Sequence, residues 1–389
     1  MKVIINGAGT VGIRAADLLA SLHTTVPALV KYDAKKDAGD AYDIRTKEAL
    51  LVSKRYGLPM FVAEGQDVEQ RASRLKDAGF HFIGTAIDDV FRGALVIDAI
   101  DNKEQQKVAL ERYKRLNLSY NTNGGAKPKS ADGRVWVSAP NSYAALNAAE
   151  YVEGNSMIGS CNTTATVTAL ALFEEAVGGS GMATNWIDHV HLDYLRRHDD
   201  PGKGKKGPQL IDVEIGSHHA EEVAMMVPSF KDRMTNARSK WPTEHFHLLQ
   251  ADFILNESKA DIIYEKYLDV LKNYQRAIVV EGDQFSQTAV VSAASKIGLN
   301  DGDIPFPVYT LKQMGRRVLR VYGLTPQRGI VAPSTTDLVL LRTGAAKSWD
   351  EAFSKTNSEG KWNGVPLIDI KPKMEKGYQD ALAEVGGSD

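Results

Sequence analysis

The chain has 389 residues, 43% hydrophobic and 25% charged, an ordinary globular composition that is too long for one core and predicts two or more domains. Its 47 basic and 49 acidic residues leave a formal net charge of −2, which offers no electrostatic attraction to nucleic acid or to an anionic membrane. A single cysteine excludes an intramolecular disulfide framework and a thiolate zinc cluster. No apolar run approaches the ~20 residues of a membrane span, and the chain enters a strand at Lys2 without a charged leader, so a soluble cytoplasmic protein is expected.

Residues 2–6 are a short apolar run of buried-strand type, followed at once by Gly7-Ala8-Gly9-Thr10-Val11-Gly12. Ile13, Ala16, Leu19 and Ala20 then have the spacing of one helical face. Strand, GxGxxG and helix in that order predict a dinucleotide site. Gly7 makes the tight turn, Gly9 lets a pyrophosphate approach the backbone, and Gly12 lets helix and strand pack closely. The helix start supplies N–H donors and a favourable potential. A strand over residues 26–32 ends at Asp33, about 20 residues past the last of these glycines, where a carboxylate would bind the ribose 2′-hydroxyl of NAD. Lys31, Lys35 and Lys36 surround it and would equally hold a 2′-phosphate, which leaves NAD and NADP both open.

A charged helix over 40–55, a strand at 60–63, a helix over 68–78, a buried strand at 94–99 ending in Asp98, and a helix over 103–115 come next. Strands at 118–121 and 135–138 follow. This alternation predicts a mostly parallel, doubly wound sheet. Asn123-Gly124-Gly125-Ala126-Lys127 is a glycine-rich turn at a strand end, where such sheets bind ligands.

Ser160-Cys161-Asn162-Thr163-Thr164 holds the one cysteine, at the opening of a helix expected over 164–177. A thiol at a helix start feels the positive end of the macrodipole, which favours thiolate; the bland alternative is a small buried hydrophobe. A strand over 186–195 ends in Arg196-Arg197, a guanidinium pair suited to bidentate phosphate binding, and Lys203–Gly207 is a solvated turn. Ser217-His218-His219-Ala220 places two adjacent histidines downstream of the cysteine, which raises a Cys/His pairing. On a strand the two rings would point to opposite faces, and no carboxylate or cysteine spacing completes a zinc site, so no metal is expected. Alternation over 245–256, a helix over 259–272, strands at 276–280 and 308–311, and helices over 284–297 and 335–341 complete the pattern. Ser348-Trp349-Asp350-Glu351 is a capping box opening a further helix, and the charged stretch from residue 370 onward reads as a loosely attached one.

Taken together, these residues resemble the archaeal-type (class II) glyceraldehyde-3-phosphate dehydrogenases. The resemblance rests on an ordered set: Asn6 to Gly12, Asn123 to Lys127, Ser160 to Thr164, Arg196-Arg197, Lys205-Lys206-Gly207-Pro208, Ser217-His218-His219, and Gln327 to Pro333. It covers residues 1–342. It implies a Rossmann-type NAD(P)-binding domain over 1–159 and an α+β catalytic domain with a mixed or antiparallel sheet over 160–325. C-terminal helices would fill 326–389, the first returning to the nucleotide-binding domain and the rest forming an extended tail. It implies Cys161 as nucleophile, Ser160 and Asn162 beside the substrate, and His219 as acid/base with His218 adjacent. Ala220 would stand beside the substrate and Arg196 would serve its phosphate. Thr10, Val11, Gly125, Arg197 and Gln327 would touch the cofactor with Gly7, Gly9, Gly12 and Asp33.

The implied activity is oxidation of glyceraldehyde 3-phosphate with inorganic phosphate to 1,3-bisphosphoglycerate, using NAD or NADP, by a cytoplasmic homotetramer in glycolysis. Three departures stand out: Ala220 where the family has glycine, Ile100-Asp101-Asn102 where it has Thr-Pro-x-Gly, and the stretch beyond 342. Aspartate-semialdehyde and N-acetylglutamyl-phosphate reductases share the two-domain plan and the Cys/His chemistry, but the double arginine and the Ser-His-His spacing favour the triose-phosphate enzyme. A catalytically silent nucleotide-binding regulatory protein is the reading from another class; the intact Cys/His/Arg set and near-neutral charge argue against it.

Overall fold

The structure, a computed structural model, describes residues 1–23, 27–35, 42–123, 131–140, 151–197, 214–215, 218–241, 246–282, 284–299 and 303–386. The expectations placed on Gly124 to Lys127, on Lys203 to Pro208 and on Ser217 lie outside these residues. The chain divides into two compact units. One comprises Met1–Trp136, Ala148–Ile158 and Ala332–Trp362; the other comprises Val137–Asn147, Gly159–Val331 and Asn363–Asp389.

In the first unit, strands β1 (Lys2–Asn6), β2 (Ala28–Lys31), β3 (Met60–Ala63), β4 (Phe82–Ala86), β5 (Ala94–Asp98), β6 (Ser119–Thr122), β7 (Val135–Trp136) and β8 (Ser156–Ile158) form one sheet. Its order is β4-β3-β2-β1-β5-β6-β8-β7, with every neighbouring pair parallel. Parallel strands need crossovers, and helices Thr10–Ser21, Ile44–Tyr56, Val68–Asp77 and Lys103–Arg115 supply them. The strands read as unbroken apolar runs because both faces are covered. Val3, Ile5, Leu95 and Ile97 enter one core with Ile13, Ala16 and Leu19. Ile4 and Val96 enter the other with Ala109 and Tyr113. The sheet is thus doubly wound, as the sequence predicts.

Local chemistry sets the helix ends. Asp43 accepts from Thr46 N (2.7 Å), and Asn102 accepts from Glu104 N and Gln105 N. Ser348 accepts from Glu351 N (3.2 Å) and the Glu351 carboxylate accepts from Lys347 N (2.7 Å), so the capping box forms with its return bond one residue early. Between β1 and β5 the winding reverses, and the carboxyl ends of these strands carry Gly7–Gly12 and Asp98–Asn102.

Asp98 is fully buried there. It accepts from Tyr113 Oη (2.9 Å), Gln106 Nε2 (3.2 Å) and Ile100 N (3.1 Å), and Asn6 Nδ2 donates to Tyr113 Oη (2.5 Å). Burial outweighs these donors and pushes its pKa up to about 6.

In the second unit, β9 (Ile187–Arg197), β10 (Glu214–Ile215), β11 (Met234–Trp241), β12 (Phe246–Leu255), β13 (Ile278–Val279), β14 (Val308–Gln313) and β15 (Val318–Pro326) run in the order β10-β11-β9-β12-β15-β14-β13. The sheet is mixed: β9/β11 and β13/β14 are parallel and the other pairs antiparallel. Helices Cys161–Ala176 and Ala260–Asn273 pack on it, with the Phe173 ring 4.8 Å from Phe253 and 5.4 Å from Tyr267.

The charged tail is firmly attached here. Helix Leu367–Gly386 lies against helix Gln287–Lys296, burying Ile370, Met374, Tyr378 and Ala381, a stripe of helical spacing inside a charged sequence. Glu375 accepts from Val279 N (2.9 Å) on edge strand β13, and Tyr378 Oη donates to Gln284 O (3.1 Å) and accepts from Ser286 N (3.0 Å). Lys371 Nζ donates to the carbonyls of Leu271, Lys272 and Tyr274 at the end of helix Ala260–Asn273.

Asp98 makes a stability prediction with a definite sign. Unfolded, its carboxyl titrates near 3.8; folded, it holds its proton up to about 6. The native state binds more protons in that window, so stability falls as pH rises from about 4 to 6, by roughly 3 kcal/mol in full. Denaturant unfolding at pH 4.5 and 7.5 should show Asp98→Asn losing less stability across the interval than the parent chain.

Candidate active site

In the first unit the glycine turn has the shape of a phosphate cradle. Gly7 has φ +105°, and a Cβ there would lie 2.7 Å from the Ala99 carbonyl. A Cβ on Gly12 would stand 2.2 Å from Gly7 O, so helix and strand approach only because it is absent. Gly9 meets nothing within 4 Å, and as N-cap of helix Thr10–Ser21 it brings no side chain to compete for the first N–H groups. The first turn, beginning with Thr10 and Val11, carries no acidic residue. Open space in front of uncapped donors at a helix start fits the pyrophosphate of a dinucleotide.

Just past β2, Asp33 is already paired. Asp33 is engaged by Arg74 in a two-pronged pair, Nε to Oδ1 at 2.8 Å and Nη2 to Oδ2 at 2.9 Å. Lys31 is buried and donates to Ala8 O (3.2 Å), tying β2 to the glycine turn, and burial lowers its pKa. Lys35 is exposed, and Lys36 is outside the described residues.

In the second unit the cysteine opens its helix three residues earlier than the sequence predicts. Ser160 is the N-cap, its Oγ accepting from Thr163 N (3.3 Å), so Cys161 is the first helical residue, among the uncapped N–H groups. Cys161 Sγ stands 3.5 Å from His247 Nδ1. The same nitrogen is 3.2 Å from Asn162 Oδ1, and Asn162 Nδ2 is 3.4 Å from His219 Nε2. His219 Nδ1 faces Ser160 Oγ (3.2 Å) and Thr163 Oγ1 (3.4 Å), and Thr163 Oγ1 donates to Glu222 Oε2 (2.5 Å).

Asn162 therefore joins two histidines that arrive on different elements. With its carbonyl accepting from His247 and its amide donating to His219, a neutral His219 carries its proton on Nδ1, towards the hydroxyls. The Tyr194 ring packs 5.0 Å from His219.

Ser160, Cys161, Asn162 and His219 are thus brought together, and His218 stands beside His219 with ring centroids 4.2 Å apart. The histidine pair sits on helix His218–Met226, not on a strand, so the two rings do not diverge. Ala220 is half-buried in the first turn of that helix. Arg196 and Arg197 end β9, in register with Lys240 and Trp241 of β11. Gln327 follows β15 directly and is half-buried.

Two residues escape the sequence reading. His247 lies in β12, in phase with the buried Leu249, Ala251, Phe253 and Leu255, and a histidine on an apolar strand face was its only signal. Glu222, 3% exposed, lies three and four residues past the histidine pair, a relation that has meaning only on a helix.

No family model matches the chain. Across nearly its whole length it is similar to glyceraldehyde-3-phosphate dehydrogenases of archaea. That of Thermococcus kodakarensis is 26% identical over 366 residues, 92% of this chain and 97% of that protein. That of Methanopyrus kandleri is 25% identical over 389 residues, 94% and 99% of the two chains. That of Archaeoglobus fulgidus is 27% identical over 368 residues, 92% and 96%.

The 3.5 Å approach of His247 to the sulfur predicts which imidazole governs the thiol. An unperturbed thiol has a pKa of about 8.5, and each unit of depression multiplies the thiolate at neutral pH by about ten. Iodoacetamide alkylation of Cys161 at pH 7 should slow by about tenfold or more in His247→Asn, and by less in His219→Asn. The reverse order would return the pairing to His219.

Proposed function

We propose that the protein is a phosphorylating glyceraldehyde-3-phosphate dehydrogenase, with Cys161 as nucleophile and His247 as acid/base. The observation that carries this is Cys161 at a helix start, with His247 Nδ1 3.5 Å from its sulfur. The similarity of nearly the entire chain to archaeal enzymes of that name supports it.

In this reading the thiolate adds to the aldehyde carbon and gives a thiohemiacetal. With Nδ1–H of His247 held by Asn162 Oδ1, the hydroxyl proton goes to the unprotonated Nε2 of the same ring as the carbon is oxidised, leaving a thioester on Cys161. Inorganic phosphate attacks the thioester carbonyl, and Cys161 departs as thiolate from the acyl phosphate. NAD or NADP, held by the Gly7–Gly12 turn, supplies the hydride acceptor. Ser160, Asn162, His218, His219 and Ala220 border the substrate, and Arg196 binds its phosphate. Thr10, Val11, Gly125, Arg197 and Gln327 complete the cofactor contacts.

His219 acts by orientation, its Nδ1 fixed on Ser160 and Thr163 and its Nε2 on Asn162. A positioned histidine base contributes on the order of 10²–10⁴ in rate. The reading includes a cytoplasmic homotetramer working in glycolysis; no described helix is long and apolar enough to cross a membrane.

At the ribose end we read NADP as the favoured cofactor. Arg74 takes one acceptor site on each oxygen of Asp33 and offsets its charge, which weakens the carboxylate as a partner for an NAD ribose, while Lys35, two residues on, is exposed. Steady-state assays should give a higher kcat/KM with NADP than with NAD. Arg74→Ala, by freeing the Asp33 carboxylate, should move that ratio towards NAD by about tenfold.

Cys161→Ser should abolish phosphate-dependent turnover of glyceraldehyde 3-phosphate while cofactor binding persists. Turnover of aspartate semialdehyde or N-acetylglutamate semialdehyde in its place would reassign the substrate, and activity surviving in Cys161→Ser would remove the mechanism.

A further inference from the structure

The buried carboxylate of Glu222 has a chemical setting that the dehydrogenase reading leaves unused. It lies on helix His218–Met226, 3% exposed, with Oε1 3.7 Å from His218 Nε2 and Oε2 3.9 Å from His219 Nδ1. The three donor atoms all fall within 4.8 Å of one another. Both premises that argue against a metal in the sequence fail in the structure. The histidines stand on a helix with their rings side by side, and a carboxylate one turn later faces both.

We propose that His218, His219 and Glu222 form a binding site for a borderline divalent transition ion, Zn²⁺ being the best match. Two imidazoles and a carboxylate are a recurrent zinc donor set that leaves one position open, whereas Mg²⁺ and Ca²⁺ select all-oxygen shells. Zinc bonds of about 2.0–2.1 Å in a tetrahedron place donors roughly 3.3 Å apart, so the two histidine–carboxylate separations, 3.7 and 3.9 Å, close by about half an ångström, and the two imidazoles, whose donor atoms lie within 4.8 Å, draw together further. His218, 54% exposed, is the ligand free to swing in and the side from which the ion enters.

The other two donors are already held. Thr163 Oγ1 donates to Glu222 Oε2 and the His219 ring is packed 5.0 Å from Tyr194; with the ion on Nδ1 the ring proton moves to Nε2, where the Asn162 amide turns to accept it in place of donating. The helix start, positive in potential, opposes a cation. The full charge of Glu222 on the ion itself outweighs that partial one.

Zinc on His219 would draw Nδ1 away from Ser160 and Thr163, so the ion would inhibit instead of assisting turnover. That consequence rests on the dehydrogenase reading; the binding does not.

The experiment is a Zn²⁺ titration of the full chain in competition with a chromophoric chelator, with Cys161→Ala as background to remove the thiolate as a rival ligand. One equivalent should bind in that background, unaffected by millimolar Mg²⁺. His218→Ala, a change at a half-exposed position that leaves the fold intact, should weaken it at least about tenfold, as should Glu222→Gln. Loss of binding in Cys161→Ala, or unchanged affinity in His218→Ala, overturns the proposal.

Discussion

The burial of helix Cys161–Ala176 fixes where the Cys161 thiol stands. Val167, Leu170, Leu172 and Phe173 are wholly buried, each contributing roughly 1.5–3 kcal/mol of apolar burial. Hydroxyl groups from its surroundings then pin the helix axially: Tyr267 Oη donates to Ala169 O (2.8 Å) and Tyr309 Oη to Ala165 O (2.6 Å). Thr166 Oγ1 donates to Asn162 O (2.9 Å) and meets Tyr194 Oη (3.1 Å). Burial pushes the pKa values of all three tyrosines up, so they remain neutral donors. A helix gripped along its length has one place for its first turn, and Cys161 occupies it.

Asn162 extends that order sideways. One amide holds an imidazole from β12 through its oxygen and an imidazole from helix His218–Met226 through its nitrogen. A buried amide left unmatched is costly, whereas a satisfied one rigidifies every group it touches. Ser160, Thr163 and Glu222 continue the network beyond His219. Two imidazoles thus have different surroundings within one cluster, one against sulfur and one against hydroxyls and a carboxylate.

The first unit follows the same economy with other means. Gly7 and Gly12 permit a backbone approach that any side chain would block, and Lys31 ties the turn to β2. Asp98 is held in a crevice at the end of β5 at the expense of an upward pKa shift. Arg342, whose pKa burial lowers to about 10, uses its guanidinium on the carbonyls of Tyr120 and Tyr151, bracing β6 from the returning helix Ala332–Thr343.

Much of this is written in local pattern. Apolar runs set between helices of 3.6-residue period dictate a doubly wound sheet, because such strands bury both faces. Gly7 to Gly12 between a strand and a helix dictates the turn, and Ser160 beside Cys161 carries the cap, although the sequence reading places the helix start three residues late. The tail is legible in retrospect through Ile370, Met374, Tyr378 and Ala381, whose spacing is masked by the charges between them. What the sequence could not decide is pairing across distance. His247 reads as one more residue of an alternating strand until β12 is laid beside β9 and its odd-numbered side chains meet the cysteine helix. Asp33 reads as a lone acid at a strand end until Arg74, remote in sequence, engages both its oxygens. Periodicity and turn chemistry act over a few residues and survive in the sequence, whereas which imidazole meets a sulfur is settled by register between strands, which only the folded chain possesses.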